Sequence, residues 1–297
     1  MGVLDLAMIE LIADDDYACI SGGGFEHRGI KLASDPDDLW SDEFELKIIE
    51  TAFAPGGLPG GEDTPVIELV LPFNIYDTGE GIEAAVSRFR KLWRRGRSIE
   101  WRVTTGVSGP RWLKVRRSQG IKFSPARDWN LDGYAKAVVT AVALVPFYES
   151  DPLEVTVTNT TAGEHTFWVP VSNPTDQKGW LEWALKPNGE ASFAFPDFSF
   201  GNEQEIDVKW TPGEHDDRMV VTGDIDVMWS VMSHPLMDTY VAADLSNAAG
   251  QMEGVEPLYW VPPWTDEVLV PVIIDGPVGA QVKMTLRRWW STESGME

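Results

Sequence analysis

Cysteine is nearly absent: Cys19 is the one thiol in 297 residues, so no intramolecular disulfide can staple the fold, and no Cys/His spacing suggests zinc. Stability must therefore come from packing. The sequence also lacks any run of about 18 apolar residues that could cross a bilayer as a helix. Its start, Met1 to Asp16, is acidic where a secretion signal carries positive charge, which predicts that no such signal is encoded. Basic residues are scarce, 24 Lys and Arg against 47 Asp and Glu, for a formal charge of −23. A surface of that sign repels phosphate backbones and anionic lipid, which argues against general nucleic-acid or membrane binding. Hydrophobic residues nevertheless make up 43% of the chain, so it folds around a core rather than staying disordered.

A chain of 297 residues has room for about two domains. Alternating and β-branched segments recur along it: 65–73, 98–104, 111–117, 134–145, 154–158, 166–171, 191–195, 205–210, 219–221, 267–274 and 278–289. Turn signals such as Ser108-Gly109-Pro110, Pro187-Asn188-Gly189 and Asp275-Gly276-Pro277 separate them, a pattern of sandwiches or barrels. One helix interrupts the pattern. Ile82, Ala85, Val86, Phe89, Leu92 and Trp93 share a face at helical spacing, predicting a helix from Gly79 to Arg95 that covers a sheet, with Asp77 and Glu80 as a capping box and Gly96 just past its end. Pro146 to Pro152 breaks both periodicities, which divides the chain into domains 1–150 and 151–297.

Charge is segregated. Residues 1–87 hold 3 basic and 19 acidic side chains, residues 88–127 hold 13 and 1, and residues 128–297 hold 8 and 27. A basic block inside an acidic protein suits an acidic partner, and a second copy of the chain provides one; complementary faces of this kind build rings when the contact is head to tail. Arg88, Arg90, Lys91, Arg94, Arg95 and Arg97 are the candidate subunit interface.

No motif for chemistry stands out. Ser21-Gly22-Gly23-Gly24 lacks the Gly-Lys-[Ser/Thr] ending of a phosphate loop, and Glu214-His215-Asp216-Asp217 after Pro212-Gly213 reads as a solvated hairpin tip rather than a cation site. Neither Cys19 nor His27, His165, His215 or His234 sits in a nucleophile signature, so no catalytic, cofactor-binding or metal residue is assigned, and no enzyme is expected. Fourteen tryptophans are many, and nine follow residue 160. About half are expected in the core. Trp168, Trp180 and Trp183 are candidates for contact with a glycan or another protein.

The segment Gly23-Gly24-Phe25-Glu26-His27-Arg28-Gly29-Ile30-Lys31-Leu32-Ala33, with Asp35-Pro36-Asp37-Asp38-Leu39-Trp40 after it, resembles the opening of minor tail proteins from siphophages of actinobacteria. More weakly, Leu258-Tyr259-Trp260-Val261-Pro262-Pro263 and the strand through Arg287-Arg288-Trp289-Trp290 resemble closing strands of the galectin-like domain of the distal tail protein family. That resemblance implies a mostly β chain: an N-terminal tail-tube-like belt domain with one α-helix, then a C-terminal galectin-like β-sandwich. It further implies a structural protein of the virion, assembled in the host cytoplasm. The implied form is a homohexameric ring at the tail tip, joining the tail tube protein to the tail-tip hub protein and lying near the tape measure protein. DNA would pass through its channel only in transit, no membrane is involved, and no cofactor is needed. The alternative is a virion carbohydrate-binding module acting through the second domain; a tail-associated hydrolase is a third reading. Residues 223–257 are long for a loop in a compact sandwich, which suggests extra strands or a contact with another tail protein.

Overall fold

A computed structural model describes residues 7–14, 16–22, 28–34, 36, 40, 44–50, 55–125 and 127–297. The chain divides into two compact units, Met1–Glu149 with Trp290–Met296, and Ser150–Trp289. The last residues, expected at the end of the second domain, thus belong to the first unit.

The first unit contains β1 (Met8–Ala13), β2 (Asp16–Ser21), β3 (Ile30–Leu32), β4 (Glu45–Glu50), β5 (Gly57–Asp63) and β6 (Ile67–Tyr76). After α1 (Ile82–Leu92) come β7 (Ile99–Thr105), β8 (Gly109–Arg117), β9 (Lys122–Phe123), the short α2 (Trp129–Asp132) and β10 (Tyr134–Ala143). Its main sheet is antiparallel in the order β2-β1-β7-β8-β10-β6-β3, while β4 and β5 form a separate pair. The period-two pattern places Leu69, Leu71, Phe73 and Ile75 of β6 on the buried face, with Ala135, Ala137, Val139, Ala141 and Ala143 of β10 beside them. Small residues on β10 leave space for the large side chains of α1. Phe89 meets Phe73 edge-on with ring centroids 5.1 Å apart, and Trp93 lies 6.0 Å from the same ring.

Helix α1 buries the expected stripe, Ile82, Ala85, Val86, Phe89 and Leu92, but is shorter than the sequence pattern implies. Its N-cap is Gly81 with no side-chain cap, so the expected capping box does not form. Asp77 acts one turn earlier: its Oδ1 accepts the N–H groups of Gly79 and Gly81 at 2.8 Å each, and Glu80 pairs with Arg88. Two glycines at positive φ, Gly79 and Gly81, let the chain curl around that carboxylate in place of a regular first turn. Gly96 adopts the left-handed φ of 78° but lies in a turn beyond Trp93, the C-cap.

The C-terminal segment is tied into this unit by Arg111, which is fully buried. Its guanidinium carbon lies 3.6 Å from the centre of the Trp290 ring. Nη1 donates to Thr292 O at 3.0 Å and Nη2 to Gly295 O at 2.7 Å, while Gly295 N–H donates to Ser108 Oγ at 2.9 Å.

The second unit begins within β11 (Tyr148–Thr158) and holds β12 (Gly163–Asn173), β13 (Leu181–Lys186), β14 (Ser192–Pro196), α3 (Glu203–Ile206) and β15 (Met219–Val221). It continues with β16 (Trp229–Met232), β17 (Tyr240–Ala242), α4 (Ala248–Gln251) and β18 (Thr265–Gly276), then ends within β19 (Gln281–Trp290). One sheet runs β17-β16-β13-β19-β11 and the other β12-β18-β14-β15. Trp183, Phe193, Phe195, Trp229, Val272 and Leu286 are among the side chains that fill the core of this sandwich. Residues 223–257 supply β16 and β17, which extend the first sheet beyond β13. The strand expected over Glu205 to Trp210 does not form. Glu203 is buried, and its Oε1 accepts Ser199 Oγ–H, Gly213 N–H and His215 N–H, so the chain coils around the carboxylate instead of extending.

Candidate functional site

The six basic side chains of the candidate interface project from α1 and the turn after it, and the structure sorts them into two groups. Arg88 is held by Glu80 and by Thr78 Oγ1, at 2.9 Å. Arg90 lies over Phe123 at 4.9 Å and Trp129 at 6.0 Å, and Arg97 pairs with Asp14 at 2.5 Å. Lys91, Arg94 and Arg95 are exposed and have no ion pair among the described residues. The last turn of a helix carries a partial negative charge, so these cations stabilise α1 locally as well as charging the surface. The apolar face of α1 is spent on the sheet, which leaves this cluster electrostatic in character.

The rest of the basic block is divided in the same way. Arg111 faces inward, Arg102 pairs with Glu100 and lies 5.6 Å above the Trp112 ring, and Arg127 donates to Asp132 at 2.7 Å. The Arg127 hydrogen bond holds the Asp132 carboxyl below its usual range. On the outward face of β8 and β10, Lys114, Arg116 and Glu149 border a groove of about 240 Å³ lined also by Ser98, Val142, Leu144, Val145 and Phe147.

The three tryptophans have different settings. Trp168 stands on the outer face of the second unit's four-stranded sheet, 62% exposed and opposite Pro271. Trp180 is half-buried between His234, at 5.4 Å, and Trp260, at 5.4 Å. Trp183 is 2% exposed and packs on Phe195, so it offers no face to a ligand; its place on β13 points it into the sandwich. Burial holds the His234 imidazole below its ordinary pKa, and its Nδ1 accepts Leu236 N–H at 3.1 Å.

The acidic turn at 214–217 is not a free hairpin tip. Asp216 Oδ1 lies 2.8 Å from Ser199 Oγ, and His215 Nδ1 meets the Tyr259 hydroxyl. Nearby, Asp197 binds Arg218 and accepts the N–H groups of Leu258 and Tyr259. The single Ser199 hydroxyl hydrogen is shared between the Glu203 and Asp216 carboxylates and is not directed to an imidazole, so the cluster lacks the nucleophile–base contact of a Ser–His pair. It works as a polar clasp on the loops leading into and out of α3. Burial opposes ionisation of Glu203, but hydrogen bonds from Ser199 and from backbone N–H groups outweigh it and lower its pKa. Among the described residues no three His, Cys, Asp or Glu side chains converge on a common point for a metal ion. The glycine-rich stretch at 23–24 and His27 lie outside the described residues, as does part of the opening segment that carries the family likeness. No described helix is long and apolar enough to cross a membrane.

No protein-family model matches the chain. Among curated proteins it is similar to the minor tail protein Gp27 of Mycobacterium phage L5, 24% identical across 91% of this chain and 93% of that protein. In fold it is similar to SPP1 Dit (gp 19.1), a paradigm of the hub adsorption apparatus in phages that infect Gram-positive bacteria. That match has a TM-score of 0.60 at 9% identity and covers 95% of this chain and 98% of the other. A chain of the phage P2 baseplate in its activated conformation with Ca matches with a TM-score of 0.52 at 8% identity, over 95% and 98% of the two chains. The likeness to siphophage tail proteins read from the opening residues therefore extends along the chain, to a minor tail protein in sequence and to Dit in fold.

Proposed function

We propose that this protein is a structural component of a non-contractile phage tail tip, where copies of it close into a hexameric ring that joins the tail tube protein to the tail-tip hub. The observation that carries this reading is the combination, along nearly the whole chain, of sequence similarity to a minor tail protein with the fold of a Dit protein. The first unit supplies the ring, and the second is a galectin-like sandwich facing other tail components, the tape measure protein lying close by. Lys91, Arg94 and Arg95, which have no ion pair within their own chain among the described residues, turn toward acidic surface on the neighbouring copy; Arg88, Arg90 and Arg97 brace the helix that presents them. A net charge of −23 suits a subunit whose channel DNA crosses without sticking. Such a protein needs neither cofactor nor catalytic residue, and it reaches the virion by assembly in the host cytoplasm.

The test is the mass of the full-length protein by light scattering over a concentration series at physiological salt, together with immunogold labelling of virions. A hexamer and label at the distal tail end are expected; label distributed along the tail or on the capsid overturns the reading. The exposed Trp168 favours one second reading, contact with a host glycan through the C-terminal sandwich. If that reading holds, the full chain binds host-surface polysaccharide and Trp168→Ala abolishes the binding.

A further inference from the structure

Among the described residues, strands β4 and β5 pair only with each other and stand apart from the main sheet of the first unit. An isolated two-stranded ribbon is at best marginally stable in water. This one also exposes apolar side chains on both of its faces. Ile49 stands opposite Leu58 on one face, and Leu46 and Ile48 alternate with it on the other; all four are at least 45% exposed, and Phe44 just before β4 is 65% exposed. Alternation normally gives a strand one polar face, and an apolar ribbon bare on two sides marks a surface that something covers. Among the described residues, Glu45, Glu50 and Asp63 flank the apolar side chains against Lys47, which Asp63 engages at 3.0 Å.

The same unit carries a surface of the opposite character. The groove on the outward face of β8 and β10 has an apolar floor, Val142, Leu144, Val145 and Phe147, and a border of Ser98, Lys114, Arg116 and Glu149, two cations against one carboxylate. Leu144 and Val145 are 60% and 51% exposed. Lys114 is only loosely engaged, 3.9 Å from Glu149, and Arg116 has no ion pair among the described residues. The hairpin is apolar with acidic flanks and the groove is apolar with a net basic border.

We infer that the β4–β5 hairpin of one copy of this chain docks on the Leu144–Val145 groove of a second copy. Charge complementarity selects the second copy, because the acidic ribbon and the basic-rimmed groove are distinct patches of one surface. A contact between distinct patches is heterologous, and repeating it generates a ring when the rotation closes. The inference rests on the ring reading and adds to it the apolar part of the interface, which the cationic end of α1 does not supply.

The experiment compares full-length wild type with Ile48→Asp/Ile49→Asp, Leu144→Asp and, as a charge swap, Glu50→Lys, Lys114→Glu and the two together, by light scattering over a concentration series. Both sets of apolar-to-acid variants lie outside the cores, so circular dichroism should match wild type. Each should weaken association by roughly a hundredfold or more, as loss of a central apolar contact does. Each single reversal should weaken it by roughly tenfold, and the double reversal should restore part of that loss, a rescue that a merely structural role for either residue would not produce. An assembled wild type that is unaffected by the hairpin and groove variants, yet dissociates with Arg94→Glu/Arg95→Glu, overturns the hairpin contact and leaves the ring reading standing. Weakening by the hairpin variants alone, with Leu144→Asp and the swap silent, overturns the groove as the receptor. A wild type monomeric at every concentration overturns the second copy as occupant and, with it, self-assembly of the ring in solution.

Discussion

Replacing Arg111 by alanine should release the C-terminal segment from the first unit. The side chain is fully buried, stacks 3.6 Å from the centre of the Trp290 ring and donates to two backbone carbonyls, Thr292 O and Gly295 O. Hydrogen bonds from a charged donor are each worth about 1.5–3 kcal/mol net, and a desolvated cation–π contact about 2 kcal/mol. These terms overlap because one group makes all three contacts, so the expected loss is about 4 kcal/mol rather than their sum. That is a large share of the roughly 5–15 kcal/mol by which a domain is stable. Arg111→Lys keeps the charge but not the fork that reaches two carbonyls, and should recover about half of the loss. Arg111→Met restores much of the packing while leaving both carbonyls without this donor, and should fall between alanine and lysine. Urea unfolding alone is ambiguous in a chain of two units, so the local readout is hydrogen exchange of the Gly295 amide, which donates to Ser108 Oγ in the folded unit. Arg111→Ala should abolish its protection while the amides of β14 and β18 keep theirs. A destabilisation below about 1 kcal/mol with Gly295 still protected would refute the argument that Arg111 anchors the segment.

Three further outcomes are expected. Phe89→Ala removes the ring that α1 places against Phe73, so the first unit should lose about 3–5 kcal/mol, measured as a lower denaturation midpoint. Because the folded pKa of Glu203 is depressed, its ionised form stabilises the second unit above the ordinary carboxylate range near 4.3, and that contribution is lost as pH falls through the folded value. Glu203→Gln should therefore destabilise the unit at pH 7 and progressively less toward pH 3, in thermal melts over that range; an equal penalty at both pH values would contradict the assignment. Self-association through cationic and acidic faces should weaken as salt rises from 50 to 500 mM, and salt-independent assembly would assign the interface to apolar contacts alone.

Periodicity alone makes the frame of the first unit legible. Leu69 to Ile75 and Ala135 to Ala143 alternate because one face of each strand is buried, and the α1 stripe repeats at 3.6 residues for the same reason. Strands whose residues do not alternate were not legible. β5 is rich in glycine and contains a proline, and it is a strand because β4 pairs with it. The 205–210 segment alternates convincingly, but the buried Glu203 carboxylate gathers three hydrogen bonds and overrides that preference. The candidate interface was legible as a block of charge, though not residue by residue. Arg111 and Arg94 look alike in a list of cations, yet one is buried under Trp290 and the other is exposed.

The amino-acid sequence by itself determined the class of this protein: a β-rich, disulfide-free, acidic chain with one sheet-covering helix and a concentrated basic block, because composition and local period act through neighbours a few residues apart. The tertiary structure alone decided which cations are spent within the chain and which stay on the surface. It also decided that Trp183 is core while Trp168 is exposed, and that residues 290–296 complete the first unit. Those outcomes depend on groups brought together from distant parts of the chain, and burial and pairing of that kind are properties of the fold rather than of any local stretch of sequence.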